Sequence, residues 1–474
     1  MKILLTGANG YIGKRLLLIL VEKGHHVYCC VRDKNRFNYP SSMNENITVL
    51  ELDLAKKDTL DVIPDNIDAA YYLVHSMSNS TDYLLMEKKC AIHFRNRIEQ
   101  TNVNHVIYLS GMTNENQLSK HLLSRKNVED ELSKGTYNFT CFRAGIIIGS
   151  GSASFEIMRD LVEKLPIMIT PKWLLTRCQP IAISDVLTIL YKGLFNDKVY
   201  NRNFDIGTSD VLTYKEMLLQ FGEVRNLKRI IWTVPVMTPR LSSYWLYFVT
   251  STSYKLASSL VDSMKIEVVC RDNEINNLLG IEPISYKKAI ERAFKTIQQN
   301  NIVSSWKDSY VSSGINFEVG EFIKVPEFGI LKDQQKQALI NKQFTIDKIW
   351  RLGGDNGWYY GNWLWKVRGF LDKMVGGVGL RRGRTNPITI NQGDALDFWR
   401  VIYANRNEGR LVLFAEMKLP GEAWLEFKIE NEILIQTAIF RPKGLLGRFY
   451  WFLVYPFHGF MFKGLIRELI GSKG

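Results

Sequence analysis

A glycine-rich loop near the start of the chain has the spacing of a phosphate-binding turn. Gly7, Gly10 and Gly13 follow a short apolar run and precede a run with helical periodicity. Glycine permits the tight turn and the close approach of the backbone to a pyrophosphate, while the first N–H groups of the helix bind phosphate oxygens. This spacing in a strand-to-helix context predicts a dinucleotide-binding loop. The residues predicted to contact the cofactor there are Thr6, Gly7, Asn9, Gly10, Tyr11, Ile12 and Gly13.

The residue that follows the second predicted strand indicates which dinucleotide binds. Loops that bind NAD carry an acid about 20 residues further on, where it accepts a hydrogen bond from the ribose 2′-hydroxyl. Arg32 stands at that place in this chain. Because a guanidinium suits a 2′-phosphate, NADP(H) is predicted in preference to NAD(H). Asp33 is adjacent and keeps NAD(H) as the alternative.

Residues after the third and fourth predicted strands would complete the cofactor site. Asp53 has two interpretations: an acceptor for the adenine amino group, or a carboxylate that stabilises a helix N-terminus. Leu54 and Leu73 would line the same cleft, and His75 would run near the ribose and nicotinamide unless it is an ordinary loop residue. The cysteines and histidines lack metal-ligand spacing, so no metal site is predicted.

The candidate cofactor residues can form one site only if a parallel sheet brings the ends of their strands to the same edge. Up to about residue 203, β-branched runs alternate with helical segments such as 11–23, which is the pattern of βαβ units. Mainly helical structure is expected over 210–299. The sequence therefore predicts an α/β domain over residues 1–300, a doubly wound parallel sheet of the Rossmann class. Its predicted strands are Lys2–Thr6, His26–Val31, Thr48–Glu51, Ala69–Leu73, His105–Ser110 and Thr140–Arg143.

Beyond a polar linker predicted at residues 298–301, the pattern of apolar and polar residues changes. Strand-like runs alternate with turn signals, which predicts an antiparallel meander. An aromatic segment, Leu445–Leu469, is predicted to be a closing helix that Pro456 and Gly459 kink or interrupt. Together these features predict an α+β domain over residues 315–474. The predicted strands of the meander are Ala395–Tyr403, Arg410–Met417, Ala423–Glu430 and Glu432–Phe440.

Length and composition narrow the class of protein. A chain of 474 residues with 46% hydrophobic and 23% charged residues fits two globular domains. The net charge is +13, but no nucleic-acid motif accompanies it, so a nucleic-acid partner is not predicted. The longest uncharged aromatic run, Phe449–Phe462, is shorter than the roughly 20 residues of a membrane span. A cytoplasmic protein is expected, with peripheral attachment to the inner face of a membrane left open; the oligomeric state is not predicted.

The N-terminal residues resemble atypical members of the short-chain dehydrogenase/reductase superfamily, of epimerase-like or NmrA-like type. Active members use a Tyr-x-x-x-Lys pair, in which lysine lowers the tyrosine pKa for proton exchange with the substrate. By this resemblance Ser110 would orient substrate and Lys126 would be the lysine, but Leu122 occupies the tyrosine position. Ser119 and His121 are alternative acids or bases. The matching stretches are 5–13, 52–54, 108–111, 142–149 and 179–186.

The C-terminal half resembles the family called domain of unknown function 2867, through the stretches 353–365, 376–384 and 394–401. A meander with a long helix also resembles the helix-grip fold of START and Bet v 1-like proteins, which implies an apolar cavity. A basic run, 381–384, beside the Gly-rich stretch 376–379 would form an anion site or lid, or else a solvated loop. The candidate pocket residues are Trp363, Trp399, Trp424 and Phe427.

Three functions agree with these features. The first is an NADP(H)-dependent oxidoreductase or isomerase acting on an apolar small molecule, which the C-terminal domain captures or presents. The second is a non-catalytic protein that senses the NADP(H) state, which the missing tyrosine favours. The third is a membrane-associated accessory or assembly factor, which the basic charge and the aromatic C-terminus favour.

Overall fold

The computed structural model divides the chain into two compact units. Unit 1 comprises residues 1–250 and 254–306, and unit 2 comprises residues 251–253 and 307–474. The structure describes residues 1–34, 37, 39, 45–75, 83–113, 120–234, 262–298, 330–374, 377, 379, 384, 389–442 and 444–471. The predicted linker lies outside this part of the chain except for Gln298.

Unit 1 is built on a seven-stranded parallel sheet, which confirms the predicted fold class. Its order is β11-β6-β5-β4-β1-β2-β3, and each of the six predicted strands is present within two residues of its expected ends. The seven strands of the sheet are β1 Lys2–Thr6, β2 His26–Val31, β3 Ile47–Glu51, β4 Ala69–Tyr72, β5 His105–Gly111, β6 Asn138–Ala144 and β11 Arg202–Ile206, of which β11 was not predicted. Short strands lie between and after them: β7 Ile147–Ile148, β8 Ile167–Pro171, β9 Arg177–Cys178, β10 Ile181–Ala182, β12 Leu212–Thr213 and β13 Ile230–Val234.

Helices cover both faces of this sheet. Ile3 of β1 belongs to a core that includes Leu16 of the first helix, whereas Leu4 faces the opposite way and packs in a core with Phe94. Alternation along a strand thus supplies two apolar cores, as a doubly wound sheet requires. The helices are α1 Tyr11–Glu22, α2 Tyr83–Ile98, α3 Lys120–Leu132, α4 Ala153–Lys164, α5 Ile183–Lys192, α6 Tyr214–Val224, α7 Glu274–Leu279 and α8 Tyr286–Gln298.

The expectation of mainly helical structure over 210–299 agrees with α6, α7 and α8 among the described residues, but the range also contains the short strands β12 and β13. Strand β13 lies within that range and pairs in parallel with β8. Its alternating exposure, with Ile230 and Trp232 exposed and Ile231 buried, is the period-2 pattern of a half-buried strand. Only five residues carry this pattern, so the neighbouring helical periodicity concealed it.

Unit 2 has the predicted α+β architecture. Its antiparallel sheet has the order β14-β19-β18-β17-β16-β15, and the last helix contacts the outer strand β14 and its neighbour β19. A strand, two helices, a meander and a closing helix form the order expected for a helix-grip fold. The elements are β14 Leu331–Ala338, α9 Lys342–Ile349, α10 Asn362–Met374, β15 Ala395–Leu396, β16 Trp399–Asn405, β17 Arg410–Ala415, β18 Gly421–Glu430, β19 Ile433–Pro442 and α11 Gly444–Ile470.

The last helix, α11, is continuous, so the prediction that Pro456 and Gly459 interrupt it is wrong. Proline removes one backbone hydrogen bond, but Tyr455, Pro456 and Phe457 are exposed, so water can solvate the freed carbonyl on that side. The C-terminal part of the helix is held by Leu465 and Leu469, which are buried in the core of unit 2. In the described part of the chain, no helix has both the length and the apolar character needed to cross a membrane.

Candidate functional site

The glycine loop meets the steric requirements of a dinucleotide-binding turn. Gly7 has a φ of +69°, and a Cβ there would lie 2.7 Å from the carbonyl oxygen of Leu73. A Cβ on Gly13 would lie 2.2 Å from the carbonyl oxygen of Gly7, so α1 and β1 approach too closely for any side chain. Thr6 is buried, donates to the Tyr71 carbonyl at 3.0 Å and accepts from the Leu73 amide at 3.2 Å. These contacts fix the loop against the end of β4.

Helix α1 begins in an arrangement suited to phosphate oxygens. Its N-cap, Gly10, is extended and provides no side-chain cap for the first turn. A Cβ on Gly10 would meet one atom within 4 Å, the Gly7 carbonyl oxygen at 3.1 Å. The first turn of α1 thus has no side-chain cap from Gly10, and there the macrodipole favours an anion.

The side chain of Tyr11 faces a second loop instead of the phosphate position. A Cβ on Gly149 would lie 2.6 Å from the Tyr11 hydroxyl oxygen. The Arg15 guanidinium stacks 4.0 Å from the Tyr11 ring centre and donates to the Ser150 carbonyl at 3.0 Å. Burial raises the pKa of Tyr11 to about 12. Tyr11 therefore supports the glycine loop through its ring and would contact a cofactor through its backbone.

The residues predicted to select and seat the adenosine half lie at adjacent strand ends. Arg32 is exposed directly after β2. Burial raises the pKa of the Cys90 thiol to about 11, with Asp53 adding to the rise and Arg32 opposing it, which places both charged groups near that thiol. Asp53 Oδ1 accepts from the Ala55 amide at 3.1 Å. This contact closes a turn before the 3-10 helix Lys57–Val62 and decides between neither interpretation of Asp53.

The two remaining predicted cofactor residues, Leu54 and Leu73, have different surroundings. Leu54 is buried, and its carbonyl oxygen lies 2.9 Å from His93 Nδ1. Leu73 is half-buried and forms the wall against which Gly7 packs. Leu73 therefore borders the cofactor loop directly, and Leu54 belongs to the apolar core beneath it.

A buried polar cluster lies next to the end of β4. His75 Nδ1 is 2.9 Å from Glu87 Oε1 of α2, and Ser124 of α3 donates to the other oxygen of Glu87. Burial lowers the pKa of His75 to about 4 despite the carboxylate beside it, and the Arg125 charge adds to this lowering. Burial alone would raise the pKa of Glu87, but the hydrogen bonds from His75 and Ser124 outweigh it and lower that pKa to about 2. The pair is a neutral imidazole that donates to a carboxylate.

The predicted substrate-orienting residue, Ser110, lies at the end of β5 and is 4% exposed. Next to it, a Cβ on Gly111 would lie 3.0 Å from Leu122 Cδ2. Leu122 therefore faces the end of β5, where the resemblance places the catalytic tyrosine. Its isobutyl group has no proton to exchange. The side chain of His121 and the whole of Ser119 lie outside the described residues.

Lys126 does not point at Ser110 but along its own helix. Its ammonium nitrogen lies 2.7 Å from Asp130 Oδ1 and 3.6 Å from Glu129 Oε1. Burial would lower the pKa of Lys126, but the hydrogen bond to Asp130 and the two carboxylates raise it. Glu129 is in turn bound by the buried Arg143. The ammonium thus belongs to an ion-pair network, and the structure does not bring it together with Ser110.

In unit 2 the structure separates the four residues proposed to line one pocket. Trp399 and Phe427 are buried in the main core. Trp424 packs in a second cluster with Phe414 and Ile439 on the other side of the sheet, and Trp363 is 64% exposed.

The basic run in unit 2 is described only at Arg384. Its guanidinium donates to the carbonyl oxygens of Trp350, Leu352 and Thr389 at 2.9 to 3.1 Å. Those three bonds give Arg384 a role in holding loops together. The rest of the run, 381–383, lies outside the described residues.

Sequence reasoning missed Glu87, Ser124 and Arg125. Glu87 and Ser124 are 37 positions apart and lie on helices with weak amphipathic patterning, so no short motif links them. One signal was available: His75 follows a strand end at the edge where the cofactor should lie, and a buried histidine requires a hydrogen-bond partner.

Comparison with known families agrees with both resemblances. Residues 7–158 match a family described as NAD(P)H-binding. Residues 330–465 match a family described as a protein of unknown function, DUF2867.

Individual relatives are distant. The chain is 24% identical over 211 residues to the photosystem II assembly factor Ycf39 of Trieres chinensis, which covers 44% of this chain and 64% of that relative. The structure of triphenylmethane reductase from Citrobacter sp. has a TM-score of 0.52 and 14% identity, covering 62% of this chain and 100% of the reductase. The same reductase complexed with NADP(H) has a TM-score of 0.50, with the same identity and coverage.

At such identities the structural likeness concerns the fold alone. The match to the assembly factor spans less than two thirds of that protein's length. What the family models and the observed sheet establish together is the nature of the two parts. Residues 7–158 of this chain match an NAD(P)H-binding family and residues 330–465 match DUF2867, and unit 1 has a fold similar to that of triphenylmethane reductase.

Proposed function

We propose that unit 1 binds NADP(H) and transfers hydride to an apolar small molecule without a tyrosine acid. The observation that carries this proposal is that unit 1 has both an intact glycine loop and a leucine, Leu122, at the tyrosine position. The loop accepts no Cβ at Gly7 or Gly13, which is the close packing that a dinucleotide requires. Leu122 puts an alkyl group, which has no proton to exchange, where the resemblance places the tyrosine acid.

The roles of the chain's own residues follow from their positions. The bound nicotinamide supplies or accepts hydride. The first turn of α1 binds the pyrophosphate, and Arg32 would pair with a 2′-phosphate, to which a guanidinium can make two charge-assisted hydrogen bonds. Ser110, at the end of β5, would donate to an oxygen of the substrate. Lys126 is held by Asp130, and the proposal does not need it.

The missing acid limits the class of substrate. Reduction of a ketone to an alcohol needs a proton at the oxygen as hydride arrives, and a positioned acid accelerates such a step by about 10²–10⁴-fold. A delocalised cation accepts hydride and needs no proton. A quinone yields a hydroquinone anion, which takes its proton from water afterwards. We therefore propose acceptors of these two kinds; the reductase with a similar fold is named for triphenylmethane dyes, which belong to the first kind.

The test is a fluorescence titration with NADPH and NADH, followed by measurement of NADPH consumption with a cationic dye, a quinone and an apolar ketone. The matched control is Gly10→Trp, since the position of its Cβ is open except toward Gly7. We expect NADPH binding that the variant loses, and turnover of dye or quinone but not of ketone. Absence of NADPH binding to the unaltered chain would refute the proposal.

A second candidate function is binding of NADP(H) without turnover, as a sensor or assembly factor. It is favoured by the ion pair of Lys126 with Asp130 at 2.7 Å and by the name of the relative Ycf39. Leu122→Tyr separates the two candidates. In a reductase the added phenol would extend turnover to ketones, whereas a purely binding protein would bind NADPH and consume none with any acceptor.

A further inference from the structure

Helix α10 in unit 2 carries its apolar stripe on the outside. Trp363, Val367, Phe370 and Met374 recur at helical spacing, and they are 64%, 47%, 59% and 63% exposed. The acid of the same helix, Asp372, is fully buried and accepts hydrogen bonds from the amides of residues 379 and 418. A helix that packs only against its own domain has the opposite arrangement, with apolar residues inside.

Helix α11 changes its orientation to solvent along its length. Five apolar side chains in its first part are more than half exposed. They are Leu446 (77%), Phe449 (69%), Leu453 (61%), Phe457 (56%) and Phe460 (56%). They recur at spacings of three or four and form one stripe. In the last ten residues the exposed side chains are charged and the apolar ones are buried. The exposed stripe is thus a property of the first part of the helix.

The two stripes lie on neighbouring helices. The Arg368 guanidinium of α10 is 5.9 Å from the ring centre of Tyr450 in α11. Just before α10, the Tyr360 ring lies 5.3 Å from that of Phe460. We call the exposed side chains of α10 and of residues 446–460 the apolar helix face. An exposed apolar patch of this kind marks an interaction site on a folded protein.

On α10 and on α11 up to residue 466, the exposed charged side chains among the described residues are all positive. Lys366 of α10 and Arg448 and Lys463 of α11 are exposed. Helix α10 contains no acid besides the buried Asp372, and α11 contains none before Glu468. The partner must therefore be apolar at its centre and negatively charged around it.

We propose that the apolar helix face docks onto the surface of an anionic lipid bilayer. Aromatic and aliphatic side chains would enter the boundary between headgroups and acyl chains, while Lys366 and Arg448 contact lipid phosphates. A symmetric contact between two copies of this face is disfavoured, because each positive residue would approach the same patch on its partner. Lipid phosphates neutralise that charge.

The test is flotation of the full chain with vesicles of phosphatidylcholine alone and with about one third phosphatidylglycerol. The chain should float with the anionic vesicles, weakly with the neutral ones, and less at high salt because lysine and arginine contacts are screened. Phe449→Ser combined with Phe370→Ser should lower the partition coefficient about tenfold or more. Arg448→Glu with Lys366→Glu should lower it to the level of neutral vesicles.

Matched controls use the same changes elsewhere on the surface. Trp232→Ser replaces a 61% exposed aromatic residue of unit 1, and Lys336→Glu reverses an exposed charge on β14; both should leave flotation unchanged. Light scattering on each variant reports the oligomeric state. The proposal is overturned if the chain does not float with anionic vesicles or if the paired variants float as well as the unaltered chain. It is also overturned if light scattering shows that the paired variants convert a dimer to monomers while their flotation is unchanged.

Discussion

Two corners of unit 1 are built in different ways. The glycine corner comprises residues 6–13 and Arg32. Its backbone turns depend on glycine, because a Cβ at Gly7 or Gly13 would clash with neighbouring backbone atoms. The relay corner consists of side chains from β5, α2, α3 and the loop after β4, namely Ser110, Leu122 and Lys126 with the His75–Glu87–Ser124 cluster. The first meets the steric needs of its ligand. In the second, Leu122 stands where the resemblance places a tyrosine and Lys126 is held by Asp130, so we expect changes at the two corners to affect binding and turnover separately.

The largest expected effect is at the glycine corner. Gly13→Val places a branched side chain where even a Cβ would be 2.2 Å from the Gly7 carbonyl oxygen. Relief of that clash requires α1 to move from β1, at a cost of about 3 kcal/mol or more of unfolding free energy. NADPH binding should become undetectable by titration, and the thermal midpoint should fall.

Gly10→Ala is the control at the same turn. Gly10 has an extended backbone, and its Cβ would be 3.1 Å from the nearest atom. We expect a loss of at most about 1 kcal/mol of unfolding free energy. Equal destabilisation by both variants would show that close packing of strand and helix is not what Gly13 provides.

At the relay corner, Glu87→Ala should affect stability more than binding. It removes the acceptor for the half-buried His75 and for the buried Ser124. We expect a loss of about 2–3 kcal/mol of unfolding free energy in urea denaturation and NADPH affinity within about threefold of the unaltered chain. The control is Glu22→Ala on α1, an exposed carboxylate whose removal should change little. A large loss of affinity with unchanged stability would move Glu87 into the cofactor site.

The same cluster predicts a loss of stability on acidification. The unfolded chain protonates a histidine near pH 6.5, whereas burial lowers the pKa of native His75 to about 4. Stability therefore falls as pH drops between these values, by up to about 1.4 kcal/mol per pH unit. Glu87, with its pKa lowered to about 2, extends the fall below the usual carboxyl range. His75→Gln should flatten the slope of unfolding free energy between pH 6 and 4.5, while His105, which behaves similarly, keeps part of it.

The sequence predicts the glycine corner well because its determinants are local. The spacing of Gly7, Gly10 and Gly13 records backbone constraints within one turn, and the strands behind it carry strong apolar patterns. The partners of His75 could not be predicted, since Glu87 and Ser124 meet only when α2 and α3 pack together. Likewise, Lys126 has the right position for the relay, but its direction depends on Asp130, a competing partner one turn away.

Arg32→Ala tests whether this residue of the glycine corner selects NADPH over NADH, and we expect a moderate effect. Arg32 is exposed, so its pairing with a 2′-phosphate would be partly screened, and we expect NADPH affinity to fall about tenfold, or about 1.4 kcal/mol. NADH, which lacks that phosphate, should bind within about twofold of its original affinity. Lys34→Ala, which removes another exposed cation nearby, serves as the control. An equal loss for both dinucleotides would rule out Arg32 as the selecting residue.

The smallest expected effect is that of Lys126→Met. The Lys126 ammonium is 38% exposed and pairs with Asp130, and an exposed pair of this kind contributes about 0–1 kcal/mol. NADPH affinity should change by less than about twofold, and so should turnover of any dye or quinone that the chain reduces. A tenfold loss of either would mean that the lysine leaves Asp130 to contact the nicotinamide end. Lys126 would then be the lysine of the proton relay, and the ketone turnover expected of Leu122→Tyr would require it.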